Sequence, residues 1–311
     1  MTQPLVFTKS NKSVKDIIGN GLTYDVETTE SGAQFYGVNE TWVESTSVVT
    51  QHTATTCILG GDADVDNFLK ATRSNLQDLM GEQIAAKVKA IKKQFMQSFY
   101  YGYRTGAGID AKKFDGLHYL LRYGEATYPN YPNTIILGGA STPDVTFGVD
   151  EIEKAIDFIK NGKADLVMMT KNMRRLINVY LHAAGGITYQ DQANGRVQGL
   201  FGVPVGVSDY ISDAENCDLL YEGAVYGQNY AEGTGIGTSD ESTSIFILQF
   251  APQAVCGIQS LPITTVKLGD LETKDGTRVR IKWYPSLMLQ SVISAAKITG
   301  IDSVTQAVAA T

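Results

Sequence analysis

The stretch "LETKDGTRVRIKWY", Leu271–Tyr284, reads as a strand, an Asp-Gly turn at Asp275-Gly276 and a second strand. In the second strand Arg278, Arg280 and Lys282 alternate with Val279, Ile281 and Trp283. Successive strand side chains point to opposite faces, so one face is apolar and buried while the other carries three cations. Such a stripe leaves three partners open: a nucleic acid, a bound substrate, or another copy of the chain.

The chain is net acidic. Its 311 residues carry a formal charge of −7, with 43% apolar and 19% charged residues. That composition supports a sizeable globular core, in one large or two ordinary domains. It argues against non-specific nucleic-acid binding as the main activity, because such binders need a net basic footprint. Cys57, Cys217 and Cys256 lie far apart, and no CxxC pair exists. An odd count at such spacing indicates reduced, buried thiols and no zinc or disulfide framework. The N-terminus lacks the charged-then-apolar layout of a signal peptide, and no apolar run approaches ~18 residues. The expectation is therefore no membrane partner and folding in a cytoplasm.

Upstream of the hairpin the chain changes character several times. Residues 1–20 form an arm carrying Lys9, Lys12 and Lys15, with little to bury. Residues 21–60 are rich in Thr, Val, Tyr and Phe, which is hairpin composition, with Ser31-Gly32 as the expected turn. Leu22 to Gly60 holds no Lys or Arg, yet carries Asp25, Glu27, Glu30, Glu40 and Glu44. A lone hairpin is marginal in water, so an acidic one must pack on something else. "GGDADVDNF" is then expected to open one long helix, with Asp62, Asp64 and Asp66 as caps at its positive end. Leu69, Leu76, Met80, Ile84, Val88, Ile91, Phe95 and Phe99 continue it at helical spacing, about 50 Å from Asp64 to Phe99. Lys87, Lys89, Lys92 and Lys93 crowd its C-terminal half, as the helix dipole prefers.

Gly124–Pro143 is Pro/Gly/Asn-rich and marks a loop or boundary. Residues 145–245 read as an α/β unit, with a helix over Val149–Lys160, a strand over Asp165–Met169 and a helix capped by Thr170 and ended near Gly185. "LFGVPVGVSDYI" and "TSIFILQF" are further strands, and "SLMLQSVISAAKITGI" is expected to run from a strand into a short helix.

Little of this sequence points to catalysis. "GTGIGT", Gly233–Thr238, precedes a strand rather than opening a helix, so it reads as a connecting loop and not a dinucleotide site. "DADVDN" imitates a calcium loop, but Asn67 stands where Gly is needed and Arg73 where Glu is needed. His52, His118 and His182 fall in no HExxH or GxSxG context, and each is expected at or near the surface. Arg174-Arg175 reads as a solvated helix face or an ion pair. No catalytic residue, cofactor site or metal site is assigned. What remains is a set of projecting elements, a basic arm and an acidic hairpin, whose opposite charges favour docking between copies.

These residues resemble the major capsid proteins of tailed bacteriophages. "FDGL" (Phe114–Leu117) after a long helix is similar to a recurring feature of that family. So are "DLVMMTKNMRRLINVYLHAAGG" (Asp165–Gly186), "GLFGVPVGVSDYI" (Gly199–Ile211) and "VKLGDLETKDGTRVRIKWYPSLML" (Val266–Leu289). The order of elements resembles the Hong Kong 97-type shell fold across nearly the whole chain. The resemblance implies an α+β fold with an N-terminal arm (1–20), an extended β-hairpin loop (21–61), a peripheral domain with a spine helix (62–125), an axial α/β domain (126–254) and a C-terminal hairpin and tail (255–311).

It further implies a structural protein and not an enzyme, self-assembling into hexamers and pentamers of an icosahedral shell around double-stranded DNA. Such a subunit would be assembled in the host cytoplasm and end in the virion. A separate scaffolding protein and a portal are implied partners, with room left for a decoration protein. The sequence departs from some members in having no lysine on the extended loop, so no isopeptide crosslink from that loop is expected; it also opens on a short arm where some members carry a long helical scaffolding segment that is later cleaved, so no N-terminal processing is expected. Candidate contacts between subunits are Lys9, Lys12 and Lys15 of the arm, Phe35, Tyr36, Glu40, Trp42 and Glu44 of the loop, and Arg278, Arg280 and Lys282 of the hairpin. The three cations are expected to meet acidic groups of the same or a neighbouring subunit rather than DNA. Two alternatives stand beside this reading: an encapsulin-type compartment on the same fold, and an α/β enzyme or binding module over 145–250.

Overall fold

The computed structural model describes residues 14–29, 31–73, 79–104, 112–121, 134–136, 147–160, 163–184, 188–192, 195–213, 215 and 242–302. Three sheets organise them. Strands β1 (Val14–Asp16), β11 (Val255–Asp270), β12 (Gly276–Leu289) and β4 (Leu59–Asp66) form a four-stranded sheet in the order β1-β11-β12-β4. Strands β2 (Gly21–Thr29) and β3 (Val48–Thr55) pair only with each other. The remaining strands are β5 (Thr134–Ile136), β6 (Leu166–Met169), β7 (Thr188–Gln192), β8 (Gly195–Leu200), β9 (Val203–Val207), β10 (Ser242–Leu248) and β13 (Ala295–Asp302). They form a seven-stranded mixed sheet in the order β5-β13-β10-β6-β9-β8-β7.

The opening stretch behaves as its alternation requires. Val279, Ile281 and Trp283 are buried, while Arg278, Arg280 and Lys282 are half-exposed. The turn is longer than expected: β11 ends at Asp270, and Leu271–Asp275 makes the reversal, closed by the Leu271 N–H donating to the Gly276 carbonyl at 2.9 Å. The buried face meets helix α2 (Leu79–Tyr101), whose inner side presents Ile91, Phe95 and Phe99. Phe95 is the hub, with ring centroids 4.4 Å from Trp283 and 5.5 Å from Phe114.

The expected single helix from Asp64 is corrected here. "LGGDADVD" is strand β4, antiparallel to β12 over all eight of its residues. Helix α1 (Asn67–Arg73) begins only after it, and α2 follows at Leu79. Of the three aspartates only Asp66 caps, its Oδ1 accepting from the Phe68 and Leu69 N–H groups at 2.8 and 3.2 Å. At 23 residues α2 spans about 34 Å, and its lysines sit in its middle turns because it runs on to Tyr101.

"FDGL" follows α2 and is pressed against its end. A Cβ on Gly116 would lie 2.6 Å from both the Gly102 nitrogen and the Ser98 oxygen, so only glycine fits this approach. The close contact lets Phe114, Leu117 and Leu121 enter the core beside Phe99 and Tyr100.

The central strands of the seven-stranded sheet, β6, β10 and β13, are buried on both sides and alternate between two cores. Met168, Phe246, Leu248 and Ala295 face the α2 core. Val167, Met169, Ile245, Ile247, Ala296 and Ile298 face α3 (Val149–Asp157) and α4 (Lys171–Ala184) through Ile152, Ala155, Met173 and Ile177. Thr170 caps α4 as expected, its Oγ1 accepting from the Met173 N–H at 3.1 Å. The expected C-terminal helix is corrected in part: after β12 a single 3-10 turn forms at Val292–Ser294, and "AAKITGID" is then β13, lying between β5 and β10, with every residue buried. A strand covered on both faces reads as a continuous apolar run, which periodicity cannot separate from a short helix. Cys57 and Cys256 are buried as expected. No helix among the described residues is long and apolar enough to cross a membrane.

Candidate assembly surfaces

The β2–β3 hairpin is the first candidate. Its ladder runs from Gly21↔Thr55 to Thr29↔Val48 and then stops, so Ser31-Gly32 is not the turn. Residues 31–47 form a tip without ladder pairing, reversing at Val38-Asn39, where Asn39 adopts a φ of 67°. The tip holds itself by local contacts. Tyr36 stacks on Trp42 with centroids 4.4 Å apart. The Tyr36 hydroxyl donates to the Val43 carbonyl at 3.2 Å and accepts from the Val43 N–H at 3.1 Å. The Gly32 N–H donates to Ser45 Oγ at 2.8 Å, and the Gly37 N–H to Glu40 Oε2 at 2.5 Å.

This ordered tip leaves large apolar groups in solvent. Phe35 and Val38 are fully exposed and Trp42 is 79% exposed, with Val43, Val48 and Val49 more than half exposed. Glu44 is exposed beside them. Large apolar groups exposed together on one short segment mark an interaction surface. Among the described residues the hairpin is anchored at its base: Val26 packs on Val292, and Leu22, Tyr24 and Ala54 pack on Cys256, Ile258 and Met288. A cleft of about 320 Å³ lies beneath that base, lined among others by Tyr24, His52, Asp115, Tyr119 and Leu287.

The outer face of the four-stranded sheet is the second candidate. Register sets Asp64 opposite Arg278, Asp62 opposite Arg280 and Gly60 opposite Lys282. Arg278 Nε and Nη2 donate to the two Asp64 oxygens, both at 2.7 Å, and Arg280 does the same to Asp62 at 2.7 and 2.8 Å. Two parallel N–H···O bonds give each pair a fixed fork geometry. The hydrogen bond from Arg280 is the main cause holding the Asp62 carboxyl below its ordinary range, and Arg278 does the same for Asp64. The acids once read as helix caps are thus the intrachain partners of two of the three cations. Among the described residues no carboxylate pairs with Lys282.

The other candidates are placed as follows. Lys9 and Lys12 lie outside the described residues. Lys15 is exposed on β1, which runs parallel to β11 with Lys15 opposite Ile258. Arg174 and Arg175 are exposed on α4, where Arg175 Nη2 donates to Asn172 Oδ1 at 2.9 Å. Gly233–Thr238 lies outside the described residues. Among the described residues no group of three or more His, Cys, Asp or Glu could hold a metal ion.

One cluster escaped the sequence reading. His118, expected near the surface, is 2% exposed and sits in a helical turn over 117–121. It stacks on Tyr101 with centroids 5.1 Å apart, and its Nε2 is 3.4 Å from Glu215 Oε1. Glu215 is fully buried; its carboxylate accepts from the Tyr101 hydroxyl at 2.5 Å and from Ser244 Oγ. Tyr101 also accepts from the Ser212 N–H at 2.8 Å, and Lys297 Nζ donates to the His118 carbonyl at 3.1 Å. Burial is the main cause of two shifts: it lowers the His118 pKa and raises that of Tyr101. The cluster fastens the end of α2 to β10 and β13. No local signal connects His118 to Glu215, since their meeting depends on the whole sheet order.

No family model matches the chain, and no curated protein sequence matches it. Solved structures do. The encapsulin SrpI of Synechococcus elongatus PCC 7942 superposes with a TM-score of 0.63 at 10% identity, over 96% of this chain and 89% of that one. The capsid of a native GTA particle gives a TM-score of 0.57 at 10% identity, over 94% and 89%. The capsid of the Myoviridae phage XM1 gives 0.53 at 15% identity, over 92% and 90%. The similarity spans nearly the full length of these three chains, and it establishes the α+β Hong Kong 97-type shell fold.

Proposed function

We propose that this chain is the major capsid protein of a tailed bacteriophage, assembling into the hexamers and pentamers of an icosahedral shell around double-stranded DNA. One observation carries the reading beyond fold: among the described residues the β2–β3 hairpin is anchored at its base, and it holds Phe35, Val38 and Trp42 out in solvent on a self-ordered tip. A single subunit gains nothing from ordering such a tip, whereas a neighbouring subunit would bury it. In this reading 1–20 is the arm, 21–61 the extended loop, 62–125 the peripheral domain, 126–254 the axial domain and 255–311 the return through both. Each contact can be weak, because a closed shell multiplies it. Scaffolding and portal proteins are separate chains, and the shell itself performs no catalysis.

A second reading has its own support: the encapsulin chain superposes better than either capsid chain described above, which favours a compartment holding protein cargo. Nuclease treatment of purified particles separates the two. Protected double-stranded DNA is the result expected of a capsid. Particles with protein cargo and no protected DNA would establish the compartment, and a chain that stays monomeric would remove both.

A further inference from the structure

Helix α2 turns one face inward and leaves the other in solvent. Ile91, Phe95 and Phe99 line the inner face, where Phe95 meets Trp283 of β12. At 3.6 residues per turn Lys89 and Lys93 stand on the opposite side, with Lys92 on its flank, and all three are exposed. They rise from a floor of Ala85, Ala86 and Ala90, which is exposed as well. The fourth lysine, Lys87, is engaged elsewhere: its side chain lies over Gly61 of β4, and its charge helps hold down the Asp62 carboxyl.

The usual reasons for lysines on a helix are missing at these three. The helix dipole favours cations in the last turn, and the last turn of α2 holds no basic residue. Pairing along the helix needs acids three or four residues away, and Gln83–Tyr101 contains no Asp or Glu. Glu82 shares the exposed face but lies two turns before Lys89. Among the described residues no carboxylate forms an ion pair with Lys89, Lys92 or Lys93. Lys89 instead faces Lys92 and Lys93 at i,i+3 and i,i+4, where like charges destabilise a helix. A net-acidic chain thus keeps an unrelieved positive face, which calls for an anion from outside.

We propose that this face of α2 holds the phosphate backbone of the double-stranded DNA inside the shell. The inference rests on the capsid reading and names the surface that meets the genome. Lysine ammonium groups on flexible stems contact phosphates as point charges and read no bases. An acidic polypeptide fits less well. No large apolar side chain is exposed on α2, and protein interfaces draw most of their energy from a few buried anchors. Each subunit offers three contacts, weak singly and repeated over the shell. The Arg–Asp ladder, on the other face of the sheet that α2 covers, then points away from the genome.

Charge removal tests the face. The full chain is prepared as wild type, as the triple Lys89→Gln, Lys92→Gln, Lys93→Gln variant, and with the same three lysines changed to Arg. Particles are assembled with a short random-sequence DNA duplex over a range of salt and treated with nuclease, and the duplex retained per particle is measured. Thermal melts confirm folded subunits. The Gln triple is expected to assemble but to retain about tenfold less duplex, with a log–log salt slope shallower by about 3, near one per lysine. The Arg triple should match wild type. Equal retention and slope in the Gln triple would overturn the lysine face while leaving the shell reading intact. A folded Gln triple that forms no particles would make the face a contact between chains, which also overturns it. Poly-glutamate retained in preference to the duplex, when both are offered to wild type, would assign the face to an acidic polypeptide instead of DNA. Wild-type particles that hold no duplex would remove the DNA-enclosing reading, and a wild-type chain that forms no particles would remove the shell reading itself.

Discussion

Arg280 and Asp62 stand 218 residues apart in sequence, and the guanidinium grips both carboxylate oxygens at 2.7 and 2.8 Å. The pair fixes β12 against β4 in the register that also seats Arg278 on Asp64. Its pH dependence has a definite sign. Asp62 has a folded pKa below its ordinary 3.8, chiefly through the Arg280 hydrogen bond. A depressed carboxyl stabilises the fold above its unfolded pKa and loses that contribution as pH falls through the folded value. Asp62→Asn should therefore lower the melting temperature at neutral pH, and the gap to wild type should begin to narrow below about pH 3.8 and close as pH falls through the lower folded value. A gap that persists in strong acid would mean the side chain acts through packing instead.

The buried cluster carries the opposite kind of group. Burial lowers the His118 pKa below its ordinary 6.5; Glu215 pulls the other way, and Lys297 adds to the lowering. The unfolded chain then binds a proton that the folded chain resists, so stability falls as pH drops below about 6.5. His118→Gln should flatten that slope in denaturant titrations between neutral and mildly acid pH. An unchanged slope would place the titration elsewhere.

Tyr101→Phe removes one hydroxyl that donates to Glu215 and accepts from the Ser212 N–H. A buried carboxylate would lose a donor and a half-buried amide would lose this acceptor. The expected cost is about 2 kcal/mol, in the range for buried polar groups left unsatisfied. Equilibrium unfolding reads it directly, and a change near zero would mean water fills the gap.

Gly116→Ala would press a methyl group into the Gly102 nitrogen and the Ser98 oxygen. The three nearest atoms, Gly102 N, Ser98 O and Phe99 O, are all backbone, so α2 and the "FDGL" segment must separate. Overpacking of this sort costs about 1–3 kcal/mol. A lowered melting temperature is expected, and a melt equal to wild type would show that the segment can slide freely.

The fold was legible where local rules suffice. Alternation placed Val279, Ile281 and Trp283 inside, and Thr170 announced the start of α4. It was illegible where one residue type serves two structures. Aspartates at a helix start and aspartates on a strand facing arginines look alike, so Asp62 and Asp64 read as caps until β12 arrived from the other end of the chain. The Ala-Ala-Lys of β13 looked helical because a doubly buried strand has no alternation to show. His118 and Glu215 meet only through the order of the seven-stranded sheet. The hairpin tip lay between: its acidic, aromatic composition was plain, while the reversal at Val38-Asn39 depends on the Tyr36–Trp42 stack.

The central claim is that the exposed tip is buried by other copies of this chain. Trp42→Ala tests it most directly, because Trp42 is 79% exposed and its loss leaves both cores untouched. Wild type and variant should be compared by electron microscopy and by melting. Closed shells or fivefold and sixfold capsomers from the wild type, with a variant that melts normally yet stays unassembled, is the expected result. Shells from Trp42→Ala at full yield, or a wild-type chain that remains a monomer at every concentration, would contradict the account.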